Sequence, residues 1–372
     1  MYDVCIIGGG LGGLSLSIQM ADLGWNVLLL EKKEYPFHRV CGEYVAAESW
    51  DFLRRIGIDD NALQLPKITD LLVSAPNGEY LESDLTSGGI GISRHLLDDS
   101  LYKIALQKGV TVLTKTTAQS ILEIYQYWEI TTQKETYIAR SVVGAFGKRS
   151  NLDHRLNRSY IDNSKSRLNH FVAVKYHLKG DFDAHKIELH NFEGGYCGLS
   201  KVENDILCMC YMVSGKVFYR EGNIENLEKN VLQKNPFLKK YLQYTRLWKK
   251  PLSIAQIDFS KKDIIEKNIP MIGDASGLIA PLCGNGMSMS IHASVIIAPL
   301  LHQYLNDELI WSEMNDEYAR QWKHHFKTRL KAGRLLQQSF GKNFITNIIL
   351  QLLKGSNKTT QKIIEATHGA TF

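Results

Sequence analysis

Gly8, Gly10 and Gly13 stand at Gly-x-Gly-x-x-Gly spacing directly after the apolar run Val4 to Ile7. Glu31 closes a second apolar run, Val27 to Leu30, about twenty residues further on. Such a pattern does a defined chemistry: a strand delivers Gly8, a tight turn and Gly10 bring backbone close to a pyrophosphate, and Gly13 lets the next helix pack against the sheet. The phosphates then face the positive end of that helix. A carboxylate at Glu31 is placed to accept from the adenosine ribose hydroxyls and disfavours a 2′-phosphate, so FAD or NAD fits and NADP does not. A second motif, Pro270-Met271-Ile272-Gly273-Asp274, puts a carboxylate at a strand end, where it can hold a ribityl hydroxyl. Gly284-Asn285-Gly286-Met287 then opens a helix whose N–H groups face an electron-rich ring edge.

The elements that must position these residues read as an α/β chain. The first unit is strand, glycine turn, helix and strand from residue 3 to Glu31, followed by a helix over about Ala46 to Ile56. Alternating strands near Asp70 to Ser74 and Tyr80 to Ser83, joined through Pro76-Asn77-Gly78, predict a hairpin of a different sheet. A helix from Arg94 to Lys108, stopped by Gly109, leads to a strand at Val110 to Leu113 that returns to the parallel sheet. Ile121 to Ile124 and Tyr127 to Ile130 alternate as a meander, and strand-like runs dominate from about Arg167 to Tyr211. The expected architecture is a Rossmann-like three-layer ββα dinucleotide-binding domain, which the resemblance given below implies to be FAD-binding, a second antiparallel β-sheet substrate domain, and C-terminal helices. The boundaries drawn are 1–70, 92–160 and 255–305 for the first, 71–91 and 161–254 for the second, and 306–372 for a basic helical region.

Composition narrows the remaining classes. At 372 residues, 44% hydrophobic and 22% charged, the chain suits two globular domains and excludes a disordered one. A strand starting at residue 2 or 3 leaves no room for a secretory signal, and the apolar stretch around Ser294 to Leu301 is too short to span a bilayer. The cysteines, Cys5, Cys41, Cys197, Cys208, Cys210 and Cys283, lack metal-ligand spacing, and a reduced cytoplasmic setting is expected. Charge is uneven: Arg320 to Ile364 holds ten Lys or Arg and no Asp or Glu, against a net +5 for the whole chain. With apolar residues at helical spacing, such a tail can lie peripherally on an anionic membrane or grip an acidic carrier protein, or pack on the body with its charges in water. No nucleic-acid partner and no metal are expected.

Together these motifs resemble the FAD-dependent monooxygenase superfamily, and within it the geranylgeranyl-reductase-like branch. The likeness rests on Gly8-x-Gly10-x-x-Gly13 with Glu31, Pro36-x-x-Arg39-x-Cys41-Gly42, Arg94 at a helix start, Gly144-Ala145-x-Gly147 with Ser150, and Gly273-Asp274 through Met287. It implies FAD as cofactor, held by Gly8, Gly10, Leu11, Gly12, Gly13, Glu31 and Lys32 at the adenosine and pyrophosphate end. It further implies Arg39 among the cofactor contacts, Arg94 near the pyrophosphate or ribityl chain, Ala118 against adenine, Cys41 and Gly42 beside the ring, and Asp274 on the ribityl chain or pyrophosphate. The ring end then rests on Gly273, Gly284, Asn285, Gly286 and Met287, with substrate over it, walled by the β-rich domain.

The chain also departs from those relatives. Hydroxylases of the superfamily carry Gly-Ala-Asp-Gly where this chain has Gly144-Ala145-Phe146-Gly147. Prenyl reductases carry Tyr-x-Trp-x-Phe-Pro where it has Tyr196-Cys197-Gly198-Leu199-Ser200-Lys201, so a pocket there is expected to be roomier or differently shaped. The expectation is an oxidoreductase using NAD(P)H as transient donor to hydroxylate a hydrophobic or aromatic secondary metabolite. Reduction of polyprenyl or lipid double bonds is the alternative, and a non-catalytic flavin-binding redox module the third. Side chains available for proton or thiol chemistry are His38, Tyr196, Cys41 and Cys283.

Overall fold

The computed structural model describes residues 1–162, 170–277, 285–339, 369, 371 and 372. It opens with β1 (Tyr2–Ile7), α1 (Leu11–Asp22) and β2 (Val27–Leu30). Then come β3 (Tyr44–Ala46), α2 (Trp50–Arg55), β4 (Lys67–Ser74) and β5 (Tyr80–Gly91). The next group is α3 (Arg94–Gln107), β6 (Thr111–Leu113), β7 (Ala118–Ile124), β8 (Tyr127–Thr132) and β9 (Thr136–Gly144). Two short helices, α4 (Asn151–Arg155) and α5 (Ser159–Asp162), precede β10 (Phe171–Lys179), β11 (Lys186–Phe192), β12 (Gly195–Val202) and β13 (Ile206–Ser214). Helices α6 (Gly215–Glu221), α7 (Ile224–Asn230) and α8 (Pro236–Tyr241) lead to β14 (Thr245–Arg246), β15 (Leu252–Ile257), β16 (Ile265–Glu266) and β17 (Ile269–Pro270). The long helices α9 (Gly286–Leu305) and α10 (Trp311–Ser339) follow.

One sheet runs β6-β2-β1-β9-β8-β7. Its strands β6, β2, β1 and β9 are parallel, and the β8–β7 meander completes it antiparallel. All four residues of β2 are buried, as befits a parallel strand covered on both faces. Helix α1 is buried along most of its length and packs against α9 and α3. Ser93 caps α3 by accepting from the Leu96 N–H at 3.1 Å.

The second sheet runs β14-β10-β13-β12-β11-β4-β5-β3, with β15 added alongside β10. It is antiparallel except for the parallel pair β11–β4. Strands Tyr44–Ala46 and Leu252–Ile257 belong to it, and β4 joins it from Lys67, so its edges do not coincide with the boundaries drawn above at residues 71 and 255. One face carries a core of Val174, Tyr176, Leu199, Met209 and Tyr211 capped by Val217, Leu227 and Leu238 from α6 to α8. The other face meets the loop Arg39–Glu43.

Candidate functional site

The glycine motif is built as a close approach. Gly8 has φ of +115°, and a Cβ there would lie 2.3 Å from the Ala145 carbonyl oxygen; one on Gly13 would lie 2.0 Å from the Gly8 carbonyl oxygen. A Cβ on Gly10 would meet nothing within 4 Å, so Gly10 borders open space at the N-terminus of α1. That is the cradle a pyrophosphate needs. The Gly12 N–H donates to Ser290 Oγ of α9 at 3.1 Å, so Gly12 serves the α1–α9 packing, with Leu11 beside it in the first turn.

Glu31 follows β2 and is buried. Its Oε2 accepts from the Gly9 N–H and its Oε1 from the Lys33 N–H, each at 2.9 Å, which fixes the carboxylate across the glycine turn. Arg39 Nη2 also approaches Oε2 at 3.4 Å, so the acceptor site left for a ribose hydroxyl is on Oε1. Lys32 is exposed beside it. Ala118 opens β7, two residues after Thr116, whose N–H donates to the Glu31 carbonyl at 3.0 Å.

Asp98, fully buried on α3, orients both arginines. Arg94 donates to it at 2.7 and 2.8 Å and Arg39 at 2.9 Å, while Arg39 also donates to the Gly9 carbonyl at 3.2 Å. On the other side, Asp274 shares a cleft with Gly273, Gly286, Ser290 and Trp322. Lys262, which the sequence did not single out, donates to the Asp274 and Lys148 carbonyls at 3.0 Å and fixes that turn; burial brings its amine down to about 8. Asn285 precedes α9, Gly286 and Met287 begin it, and Met287 Sδ lies 3.7 Å from Cys41 Sγ. Gly284 and Cys283 lie outside the described residues.

Strand register shows what the second sheet presents to this group, because residues directly opposed on neighbouring strands share a face. One row across β10, β13, β12, β11, β4 and β5 reads Lys175, Cys210, Gly198, Leu189, Val73, Leu81. The next reads His177, Cys208, Ser200, Ile187, Leu71, Ser83. A third contains Ala173, Met212 and Tyr196.

The polar members grip the loop Arg39–Glu43. Lys175 Nζ donates to the Arg39 carbonyl at 3.3 Å, Cys208 Sγ to the Cys41 carbonyl at 3.5 Å, and Ser200 Oγ to the Gly42 carbonyl at 3.2 Å. Glu43 receives Lys175 Nζ on Oε1 and His177 Nε2, at 2.6 Å, on Oε2; its Oε1 also takes the Arg94 N–H at 2.8 Å. Burial alone would push the Glu43 carboxyl up, but the His177 hydrogen bond and the Lys175 charge bring it down to about 2. His38 stacks on His95 at 4.5 Å and meets His177 and Trp248; burial, with Lys175 nearby, lowers it to about 4. With the polar groups engaged, half-buried Leu71, Val73, Leu81, Ile187, Leu189, Gly198 and Cys210 remain as an apolar floor. Burial pushes the Cys210 thiol up to about 12, so it stays protonated.

Behind the floor, Ser74 Oγ, His190 and Glu188 line up at 2.8 Å each in a serine–histidine–acid order. Ser74 and His190 are wholly buried, and Asn235 donates to Ser74 Oγ at 2.9 Å, so this network holds strands together and offers no nucleophile.

A family model described as "FAD binding domain" matches residues 1–321. Over 359 residues the chain is 25% identical to conditioned medium factor receptor 1 of Dictyostelium discoideum, covering 88% of this chain and 68% of that protein. It is 24% identical to digeranylgeranylglycerophospholipid reductase of Methanocaldococcus jannaschii, covering 91% and 87%. To the FAD-dependent monooxygenase atnA of Arthrinium sp. it is 25% identical, covering 81% of this chain but 45% of that one. Among solved structures, flavin-dependent brominase Bmp2 has a similar fold, with TM-score 0.81 at 17% identity over 100% of this chain and 94% of the other.

Proposed function

The chain belongs to the FAD-binding-domain family and is an FAD-dependent oxidoreductase, and from that premise we propose that it is an NAD(P)H-dependent monooxygenase that hydroxylates a hydrophobic or aromatic secondary metabolite. When bound, FAD would supply the redox chemistry, passing a hydride to a substrate or reducing molecular oxygen so that one oxygen atom enters the substrate and the other leaves as water. The residues present fit its parts: open space at Gly10 beside the α1 N-terminus for the pyrophosphate, Glu31 for the ribose, Arg39 and Arg94 for the phosphates, and Asp274 for the ribityl chain.

The observation that carries the substrate class is the apolar floor. Cys210, Gly198, Leu189, Val73 and Leu81 span five adjacent strands, about 19 Å at ordinary strand spacing, and expose no unpaired charge. An elongated apolar molecule matches that surface, and Gly198 leaves room for a ring. A second reading, saturation of lipid double bonds, is favoured by the reductase relative, which matches over most of both chains. Product mass separates the two: aerobic turnover adding one oxygen atom with coupled oxygen uptake supports hydroxylation, and anaerobic addition of two hydrogen atoms contradicts it.

The proposed partner surface is α10. Lys323, Lys327 and Lys331 are exposed along one side of it and form a basic stripe suited to anionic lipid or an acidic carrier protein.

A further inference from the structure

We propose that Glu43, with Lys175 and His177, is a positioning residue for the cofactor: a buried ion cluster through which the substrate-facing sheet sets the pose of Cys41 and Gly42. The inference rests on the reading that FAD binds with its ring beside those two residues.

Three observations converge on Glu43. Its backbone has φ of +58°, a left-handed conformation that costs free energy for a residue with a side chain and persists where the surroundings enforce it. Its carboxylate is wholly buried and collects partners from two elements, the α3 start through the Arg94 N–H and β10 through Lys175 and His177. Buried ion pairs are weak contributors to stability compared with apolar packing of the same volume, so stability alone does not call for this cluster. What it does is local. The residues on either side of Cys41-Gly42 are pinned, Arg39 and Glu43 by Lys175, while Cys208 and Ser200 hold the carbonyls of Cys41 and Gly42 themselves.

A metal reading of the same groups fails on geometry. His38, Glu43 and His177 have ligand atoms within 4.8 Å of one another. Yet His177 Nε2 and Glu43 Oε2 are 2.6 Å apart, a direct hydrogen bond; two ligands at about 2.0–2.2 Å on a tetrahedral zinc stand more than about 3 Å apart. The Lys175 ammonium already occupies the other carboxylate oxygen.

The test compares Glu43→Gln, Lys175→Met and the double variant, reading thermal midpoint, FAD affinity of the apoprotein by flavin fluorescence, and the visible spectrum of bound flavin. Each single change strands one buried charge, so both singles melt lower and the double recovers toward wild type. Positioning predicts that the recovered double variant still binds FAD roughly tenfold more weakly and with shifted absorption bands. His177→Phe, which keeps the Glu43–Lys175 pair, moves the same two flavin readouts in the same direction. Wild-type FAD affinity and spectrum in the double variant would overturn the inference. So would tight one-to-one zinc uptake by the wild-type chain that Glu43→Gln abolishes. A wild-type apoprotein that takes up no FAD would instead overturn the underlying cofactor reading and the inference with it.

Discussion

Gly10 and Gly13 lie three residues apart and answer to different demands. A methyl group on Gly13 collides with the Gly8 carbonyl, so Gly13→Ala should destabilise the fold by about 1–3 kcal/mol in chemical denaturation. A methyl on Gly10 enters open space, so Gly10→Ala should leave stability unchanged while weakening FAD binding; unchanged affinity would remove the pyrophosphate from that position. Acid stability follows from residues too. His38 and His292 are both lowered from 6.5 to about 4 by burial, so the folded state binds fewer protons there than the unfolded chain. Their contribution is present above about pH 6.5 and lost as pH falls toward 4. The Glu43 contribution, present above 4.5, is lost as pH falls toward 2. Thermal midpoints against pH should therefore decline in that order, and a midpoint rising on acidification would contradict the assignment. The glycines and Glu31 were legible because their roles are local backbone geometry. Glu43 was not, since its partners lie 132 and 134 residues away and no periodicity announces them.

At the scale of elements, the parallel unit, the hairpin at β4–β5 and the β7–β8 meander were readable from alternation and turn residues. Helices α6 to α8 were not anticipated, because they are short and their few apolar residues, Val217, Leu227 and Leu238, bury against a sheet distant in sequence. The parallel β11–β4 pair was equally hidden, since it joins strands more than a hundred residues apart. Helix α10 shows how one element answers two demands. Met314, Tyr318, Trp322, Phe326 and Leu330 recur every four residues and are buried, so the apolar face of this part of the basic region packs inward. Arg329 joins that packing by pairing with buried Glu48 at 2.7 Å, leaving the lysines outside. Phe326→Ala should cost about 3–5 kcal/mol in urea unfolding, and a loss below about 1 kcal/mol would mean that α10 is not part of the core. The portion of that region at 340–368 lies outside the described residues.

The chain crosses repeatedly between a cofactor-type parallel sheet and a broad second sheet, and the short Arg39–Glu43 loop lies against one face of the second. Its net charge of +5 and the lysine stripe on α10 give the molecule a basic side, and no described helix is long and apolar enough to cross a membrane. Neutralising Lys323, Lys327 and Lys331 to Gln should weaken binding to phosphatidylserine vesicles by roughly 3 kcal/mol, about 1 per lysine; unchanged binding would discard the membrane role. We propose that the glycine turn and Glu31 grip the adenosine half of FAD while the ring faces the Cys41-Gly42 loop and the apolar floor. Fluorescence titration of the apoprotein with FAD and, separately, with FMN tests it most directly. One FAD per chain, bound at least a hundredfold more tightly than FMN, is the result predicted by about 3 kcal/mol of adenosine contacts. Equal affinity for the two flavins would contradict it.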